Sequence, residues 1–469
     1  MPTWVHRPTE RCRQVLTDTA LTPWLARQAY SLLLRLGTPA YLWRLWSRGK
    51  VEPAYREAWP QRLAWYDQAY RDAWQSGVGQ PARPVVWLHA VSLGETKAAT
   101  QLIQALRQQH PGMRLLLTHG TATGREAGRA LLQAGDVQTW FPFDTPGAVR
   151  RFLRLHRPHI GVLMETEVWP NVQHVANAMG VSMVLANARL SDKSLRQGQR
   201  LAALMRPAAR ALQVALAQTE KDAQRLRLMG VSDVRVCGNV KFDIVPSPTL
   251  LAQGQEWARM SARPIVLAAS SREGEEPGLL DAWLARRQQH ATPGADLAPR
   301  LMIVPRHPQR FDEVAAMVAD KGMTLSRRST WPEDRPDQSA LAAEVWLGDS
   351  IGEMPAYYAS AQVALLGGSF APLGGQNLIE AAACGCPIVM GPHTFNFADA
   401  ADMSEEAGAA CRVQDITQGV TKCVQLCTSD ARFSMAEKSR LFARQHQGAA
   451  HAMATLIWGF SHPYLRGNV

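Results

Sequence analysis

The chain has 469 residues, more than one packed core holds at roughly 150 residues per domain. Its 46% hydrophobic and 19% charged residues, with 34 Gly and 29 Pro, exclude a disordered or fibrous chain. The 51 Lys and Arg against 40 Asp and Glu leave a net +11, which asks for an acidic partner without choosing among nucleic acid, an anionic membrane surface and a phosphorylated ligand.

The N-terminal end comes first. Residues 1–60 carry nine basic against four acidic residues, and the first 20 are polar with no apolar stretch of the secretory kind. No segment reaches the about 18–20 apolar residues a spanning helix needs. The best stretch, Tyr30 to Trp46, is broken by Arg35, Gly37, Pro39 and Arg44. Leucines and tryptophans interleaved with arginines predict a basic amphipathic segment over residues 1–60 that lies in the headgroup plane of an anionic bilayer. Amphipathic helices packed on the following domain are the alternative.

From Pro84 onward short apolar runs alternate with helix-period segments. Runs at Val85–Val91, Arg114–Thr118, Thr139–Phe143, Ile160–Met164, Met183–Ala186, Val214–Ala217 and Val234–Val236 predict a parallel sheet with helices on both faces. Two prolines within residues 245–249 read as a linker. The alternation restarts with strands at Ile265–Ala269, Leu301–Val304, Val345–Leu347, Val363–Leu366 and Pro387–Met390, a polar surface loop over Ser326–Gln338, and helices from Val420 to Trp458. The expected architecture is α/β: residues 61–245 form one doubly wound domain and 246–469 a second, C-terminal helices included. The two face a cleft suited to two substrates.

The seven cysteines, odd in number and without framework spacing, predict free, mostly buried thiols and a reducing compartment. No phosphate-loop, dinucleotide, nucleophile-elbow or zinc-protease motif occurs, nor any Asp-x-Asp, which disfavours a metal-dependent sugar-nucleotide site.

Four places carry candidate chemistry. Ser92-Leu93-Gly94-Glu95 follows the first strand, so Glu95 is either a helix-capping acid or a general base. Glu165 and Glu167 follow the fourth strand two residues apart; in an extended segment they share a face and need a cation, with Arg189 as a structural candidate. Pro305-Arg306-His307-Pro308 ends a second-domain strand as an anion site or a plain turn. Gly367-Gly368-Ser369 and Gly374-Gly375-Gln376-Asn377-Leu378-Ile379-Glu380 bring glycines, then a carboxylate able to accept ribose hydroxyls.

Together with Gly238-Asn239-Val240-Lys241-Phe242-Asp243, Glu273-Gly274-Glu275-Glu276, Gly348-Asp349-Ser350-Ile351-Gly352-Glu353 and Gly391 to Phe397, these strings resemble the 3-deoxy-D-manno-octulosonic acid (Kdo) transferases of lipopolysaccharide synthesis. They run in family order over nearly the whole chain. The resemblance implies a GT-B fold and an inverting, metal-independent glycosyltransferase without a cofactor. Its donor would be CMP-Kdo and its acceptor a lipid A precursor, lipid IVA. It also implies attachment to the cytoplasmic side of the inner membrane, peripheral or monotopic. By the same resemblance Glu95 is the proton acceptor, and Glu165 and Lys241 stabilise the transition state. CMP contacts fall on Pro305, Arg306, Ile351, Gly352, Glu353, Asn377, Leu378, Ile379 and Glu380. The chain departs from the family pattern at Gln376, where His is usual, at Leu378, where Pro is usual, and at Arg272.

Another sugar-nucleotide transferase or epimerase of the same fold, or a non-catalytic basic lipid A-binding protein, are the rival readings. Nucleic acid is disfavoured because no recognition motif accompanies the charge.

Overall fold

A computed structural model describes residues 10–76, 83–289 and 298–461, with side chains from residue 22 to 286 and from 298 onward within those ranges. Residues 1–9, part of the expected membrane segment, lie outside the described ones. The chain divides into two compact units, Met1–Asp243 with Gly448–Val469, and Ile244–Gln447.

The first unit is built on seven parallel strands, β1 (Val85–His89), β2 (Arg114–His119), β3 (Val137–Trp140), β4 (Ile160–Met164), β5 (Ser182–Ala188), β6 (Val214–Ala217) and β7 (Val234–Val236), in the order β3-β2-β1-β4-β5-β6-β7. Leu88 of β1 pairs with Leu117 of β2 and Val162 of β4. Val86 and Leu88 pack into one apolar layer with Leu102 and Leu106, while Val85 and Trp87 enter the other with Phe152 and Leu163. This period-two alternation in a strand with no polar face is the signature of a sheet covered on both sides.

The covering of one face comes partly from the far end of the chain. The C-terminal helix Ala449–Ser461 packs on the helix Leu93–Gln109, its Met453, Ile457 and Trp458 buried in the Val86/Leu88 layer, and Trp458 Nε1 donates to the Leu106 carbonyl at 3.2 Å. Asp243, at the close of the first unit, accepts from the amides of Gly448 and Ala450 and so holds the start of that helix. The sequence reading placed all the last helices in the second domain. The first two, Ile416–Cys427 and Ala431–His446, do lie there, and the third belongs to the first unit.

The N-terminal helix α1 (Glu10–Arg48) is part of the first unit rather than a detached segment. Tyr30 Oη donates to Asp144 at 2.9 Å, Ser31 Oγ to Asn171 Oδ1 at 3.1 Å, and Leu45 is buried against Tyr55 and Trp140. Its other face is apolar and bare: Leu36 is 70% and Trp43 72% exposed, with Trp24, Leu25, Leu32 and Trp46 more than half exposed. The packing on the following domain is thus present, and the same helix also carries an exposed apolar face. No helix among the described residues is long and apolar enough to cross a membrane.

The second unit repeats the plan with β8 (Ile265–Ser271), β9 (Arg300–Pro305), β10 (Leu325–Arg327), β11 (Val345–Leu347), β12 (Val363–Leu366), β13 (Ile388–Met390) and β14 (Ala410–Arg412), ordered β10-β11-β9-β8-β12-β13-β14. The expected loop over 326–338 begins instead inside the edge strand β10 and buries Arg328 and Trp331. The linker prolines end in a helix start: Pro248 opens Pro248–Ser261, where its missing N–H is harmless.

Candidate active site and nucleotide loops

In a doubly wound sheet the strand order reverses at one point, and the carboxyl ends there splay to leave a crevice. In the first unit that point lies between β1 and β4. Glu95 follows β1 and Glu165 follows β4, so the two carboxylates flank it.

Glu95 stands in the first turn of the helix Leu93–Gln109. Ser92 caps that helix, its Oγ accepting from the Glu95 amide at 3.4 Å, and Glu95 Oε2 accepts in return from the Val91 amide at 2.8 Å. Ser92 Oγ also donates to Oε1 at 3.1 Å. The capping role is thus present, and it fixes the carboxylate with one hydrogen bond to each oxygen, which leaves each a further lone pair. Burial, then the nearby Glu165 charge, raise its pKa above the ordinary glutamate value, against the Val91 hydrogen bond and the Lys241 charge. Glu167 is pushed up to about 7 by burial first and by Glu95 next.

Glu165 and Glu167 do not share a face by strand alternation. Glu165 takes φ +58°, a left-handed conformation that costs a non-glycine residue of order 1 kcal/mol and ends the extended run. Its amide still donates to the Ala186 carbonyl and its carbonyl accepts from the Arg189 amide, so the strained turn is held from β5. The cation beside its carboxylate is Lys241, Nζ to Oε1 3.4 Å, where the sequence offered Arg189.

Lys241 is placed by a chain of amides at the ends of β5, β6 and β7. Asn239 caps the short turn Val240–Phe242 and accepts from the Lys241 amide at 3.0 Å; its Nδ2 donates to Gln218, and Gln218 donates to the Asn187 carbonyl. Asn187, itself at φ +52°, accepts from the Val240 amide. Gln218 carries no motif and was missed; only its position directly after β6 could have marked it.

In the second unit the order reverses between β8 and β12. Glu275 bridges the two following loops: it accepts from the amides of Arg272 and Gly368 with Oε2 at 2.9 and 2.8 Å, and from those of Phe370 and Ala371 with Oε1 at 3.0 and 3.2 Å. Gly367 has to be glycine, since a Cβ there would lie 2.1 Å from the Ser270 carbonyl oxygen. Arg306, exposed after β9, donates to Gln376 Oε1 at 3.2 Å, which joins two of the expected nucleotide segments. Gln376 thus has a defined partner in place of the family's histidine, and Arg272 is paired with Glu273 at 3.0 Å.

The remaining expected contacts divide by burial. Pro305, Leu378 and Ile379 are buried, so only their backbone can reach a ligand. Asn377 caps the helix Leu378–Ala383, and Glu380 lies half-buried in its first turn. Ile351 is 79% exposed and Gly352 takes φ +87°. Glu353 has both oxygens engaged, one by Arg328 at 2.8 Å and one by Ser350, so it builds its loop first.

Comparison with known proteins agrees on one family. The model of the 3-deoxy-D-manno-octulosonic-acid transferases matches residues 57–244. A 3-deoxy-D-manno-octulosonic acid transferase of Bordetella pertussis is 43% identical over 437 residues, covering 91% of this chain and 97% of that one. One of Haemophilus influenzae is 28% identical, covering 94% and 99%. Among solved structures, a glycosyltransferase of Rickettsia africae covers 82% of this chain and all of its own length with a TM-score of 0.51 at 11% identity, a likeness of fold.

Proposed function

The chain belongs to the Kdo transferases, glycosyltransferases of GT-B fold that act in lipopolysaccharide biosynthesis, and from that premise we propose that it moves Kdo from CMP-Kdo onto lipid IVA with inversion at the anomeric carbon. The observation that carries this reading is the first-unit cluster: a half-buried carboxylate of raised pKa, Glu95, with the Glu165–Lys241 pair across the sheet's reversal point.

The steps follow from those groups. Glu95 takes the proton of the attacking sugar hydroxyl, and its raised pKa makes it a better base than a solvated glutamate. The hydroxyl oxygen bonds to the anomeric carbon as the bond from that carbon to the CMP phosphate oxygen breaks, and the electron pair leaves with CMP. Positive charge grows on the sugar ring in between. Glu165 opposes it, and Lys241 both pairs with Glu165 and faces the donor's negative charge. On the second unit, Arg306 meets the CMP phosphate with the backbone amides of 351–353, 377 and 378, Pro305 offers the nucleotide only its carbonyl, and Glu380 accepts from the ribose. The bare apolar face of α1, flanked by arginines, supports association with an anionic inner-membrane surface from the cytoplasmic side without spanning it.

Mass spectrometry of the lipid formed from CMP-Kdo and lipid IVA tests the reaction. The expected product carries added Kdo, and Glu95→Gln lowers kcat by about 10²–10⁴-fold, the usual worth of a general base. A Glu95→Gln protein with undiminished kcat overturns the assignment.

A further inference from the structure

Between α1 and the carboxyl edge of the first unit's sheet lies a cavity of about 460 Å³, within the roughly 300–1,000 Å³ common for organic ligands. One wall is a stripe of α1 that includes Leu34, Gly37, Tyr41 and Leu45; the other includes Phe141, Phe143 and Trp169. Leu33 also lines it and is 69% exposed, so the cavity opens on the same bare apolar face that α1 turns outward.

Three buried polar groups interrupt this apolar lining: Arg62, His89 and Asp144, and of these Asp144 is already engaged by Tyr30 and by the amides of Asn171 and Val172. Arg62 is 2% exposed, stacked on Trp140 with its guanidinium carbon 3.7 Å from the ring centre, and its Nε and Nη2 have no hydrogen-bond partner. A buried cation without a counter-charge is expensive, and structures retain one where a ligand supplies the anion. His89 is 1% exposed; its Nδ1 lies 3.1 Å from the Thr118 carbonyl and 3.0 Å from Thr118 Oγ1, and its Nε2 has no partner, so that with the Nδ1 proton given to the carbonyl Nε2 is an acceptor. Val91 completes the wall, and its amide is the one that holds Glu95.

From these contacts we infer that the cavity is a subsite for one acyl chain of the acceptor, entered from the bilayer beside Leu33 and Gly37. Arg62 meets an anionic group of the same molecule, and His89 Nε2 accepts from one of its hydroxyls or amides. The inference rests on the proposed acceptor being an acylated, phosphorylated saccharide. Seating one chain here anchors the acceptor on the loop that carries Glu95, so acylation becomes part of substrate selection and not only of membrane residence.

Gly37 offers a clean test, because a side chain built there meets nothing within 4 Å and helix interiors tolerate residues other than glycine better. Gly37→Phe fills the mouth of the cavity without displacing its walls. The full chain is assayed with CMP-Kdo and a phosphorylated glucosamine disaccharide, either acylated or stripped of its chains. The wild-type protein is expected to favour the acylated form in kcat/KM by at least about tenfold. Gly37→Phe is expected to erase that preference, with the deacylated rate and CMP binding unchanged. Arg62→Met, which keeps the stacking on Trp140, raises KM for the phosphorylated acceptor and not for a dephosphorylated one. A diazirine near the chain end of the acylated acceptor labels peptides of residues 33–45 or 141–145, and Gly37→Phe abolishes the label. Equal use of both acceptors, an unaltered Gly37→Phe, or equal labelling by a diazirine phospholipid while acceptor is present overturns the subsite. Labelling without transfer to either acceptor keeps the subsite and removes the reaction proposed for it.

Discussion

The chemistry of the first unit turns on how three side chains share charge. Glu165 raises the Glu95 pKa and Lys241 lowers it, so the two neighbours act on the base with opposite sign. With Glu95 as the proposed base the ionised form is the active one, and kcat/KM is expected to fall as pH drops through the Glu95 pKa. Removing the Glu165 charge in Glu165→Gln lowers that pKa and moves the acid limb to lower pH. Removing the Lys241 charge in Lys241→Met leaves Glu95 facing an uncompensated carboxylate and moves the limb to higher pH. Residual-rate profiles of the two variants are therefore expected to shift in opposite directions; shifts of the same sign would show that Glu95 is not the titrating base. Glu95 and Lys241 were legible as motif residues, and so was the pairing requirement of Glu165. The partner was not, because Lys241 lies 76 positions further along and arrives only through the amide chain Asn187, Gln218 and Asn239. Glu275 shows the same limit: it stood in a quoted string without a role, since three of the four amides it gathers belong to Gly368, Phe370 and Ala371, nearly a hundred positions away.

At the scale of elements, the junction of α1 with the sheet edge is titratable. Asp144, buried, accepts from Tyr30 on α1 and from the amides of Asn171 and Val172 at the start of the next helix, and desolvation outweighs these bonds to push its pKa up to about 7. Its folded pKa lies above its ordinary value of 3.8, so the folded state holds this proton more tightly than the unfolded one. Stability from this group is full below about pH 4 and is lost as pH rises toward 7. The melting temperature of Asp144→Asn is thus expected to fall less than that of the wild type between pH 4 and 7, as calorimetry would register; parallel curves would mean Asp144 is ionised throughout. Elements with an unbroken apolar run were readable to the residue, as with β4, β6, β11 and β12, and the edge strand β7 (Val-Arg-Val) was read by its alternation. β10 (Leu-Ser-Arg) and β14 (Ala-Cys-Arg) were not, for three-residue edge strands have no run to read. The run Thr139–Phe143 marked β3, whose pairing ends at Trp140, and Phe141 and Phe143 leave the ladder to line the α1 cavity.

For the whole molecule, the net +11 resolves into separate uses. Arg62 stands against the α1 cavity, Lys241 against Glu165 and Arg306 beside Gln376, while the arginines of α1 flank its bare apolar face. A Leu36→Ser, Trp43→Ser double variant removes two exposed apolar side chains that line no cavity and bear little on the fold. Sedimentation with anionic vesicles is expected to fall at least about tenfold for this variant, with CMP binding intact; unchanged partitioning would remove α1 as the membrane face. The return of residues 449–461 to the first unit has a consequence in time. The second unit is an uninterrupted segment, ready to fold once residue 447 leaves the ribosome, whereas the first unit must wait for its last helix. At about 5–20 residues per second, roughly 10–40 s separate the synthesis of Asp243 from that of Ser461. Through that interval Leu102, Leu106 and Val86 lack their Trp458 and Ile457 cover, so the segment made first is completed last, and the nascent chain carries an open apolar seam until its final helix arrives.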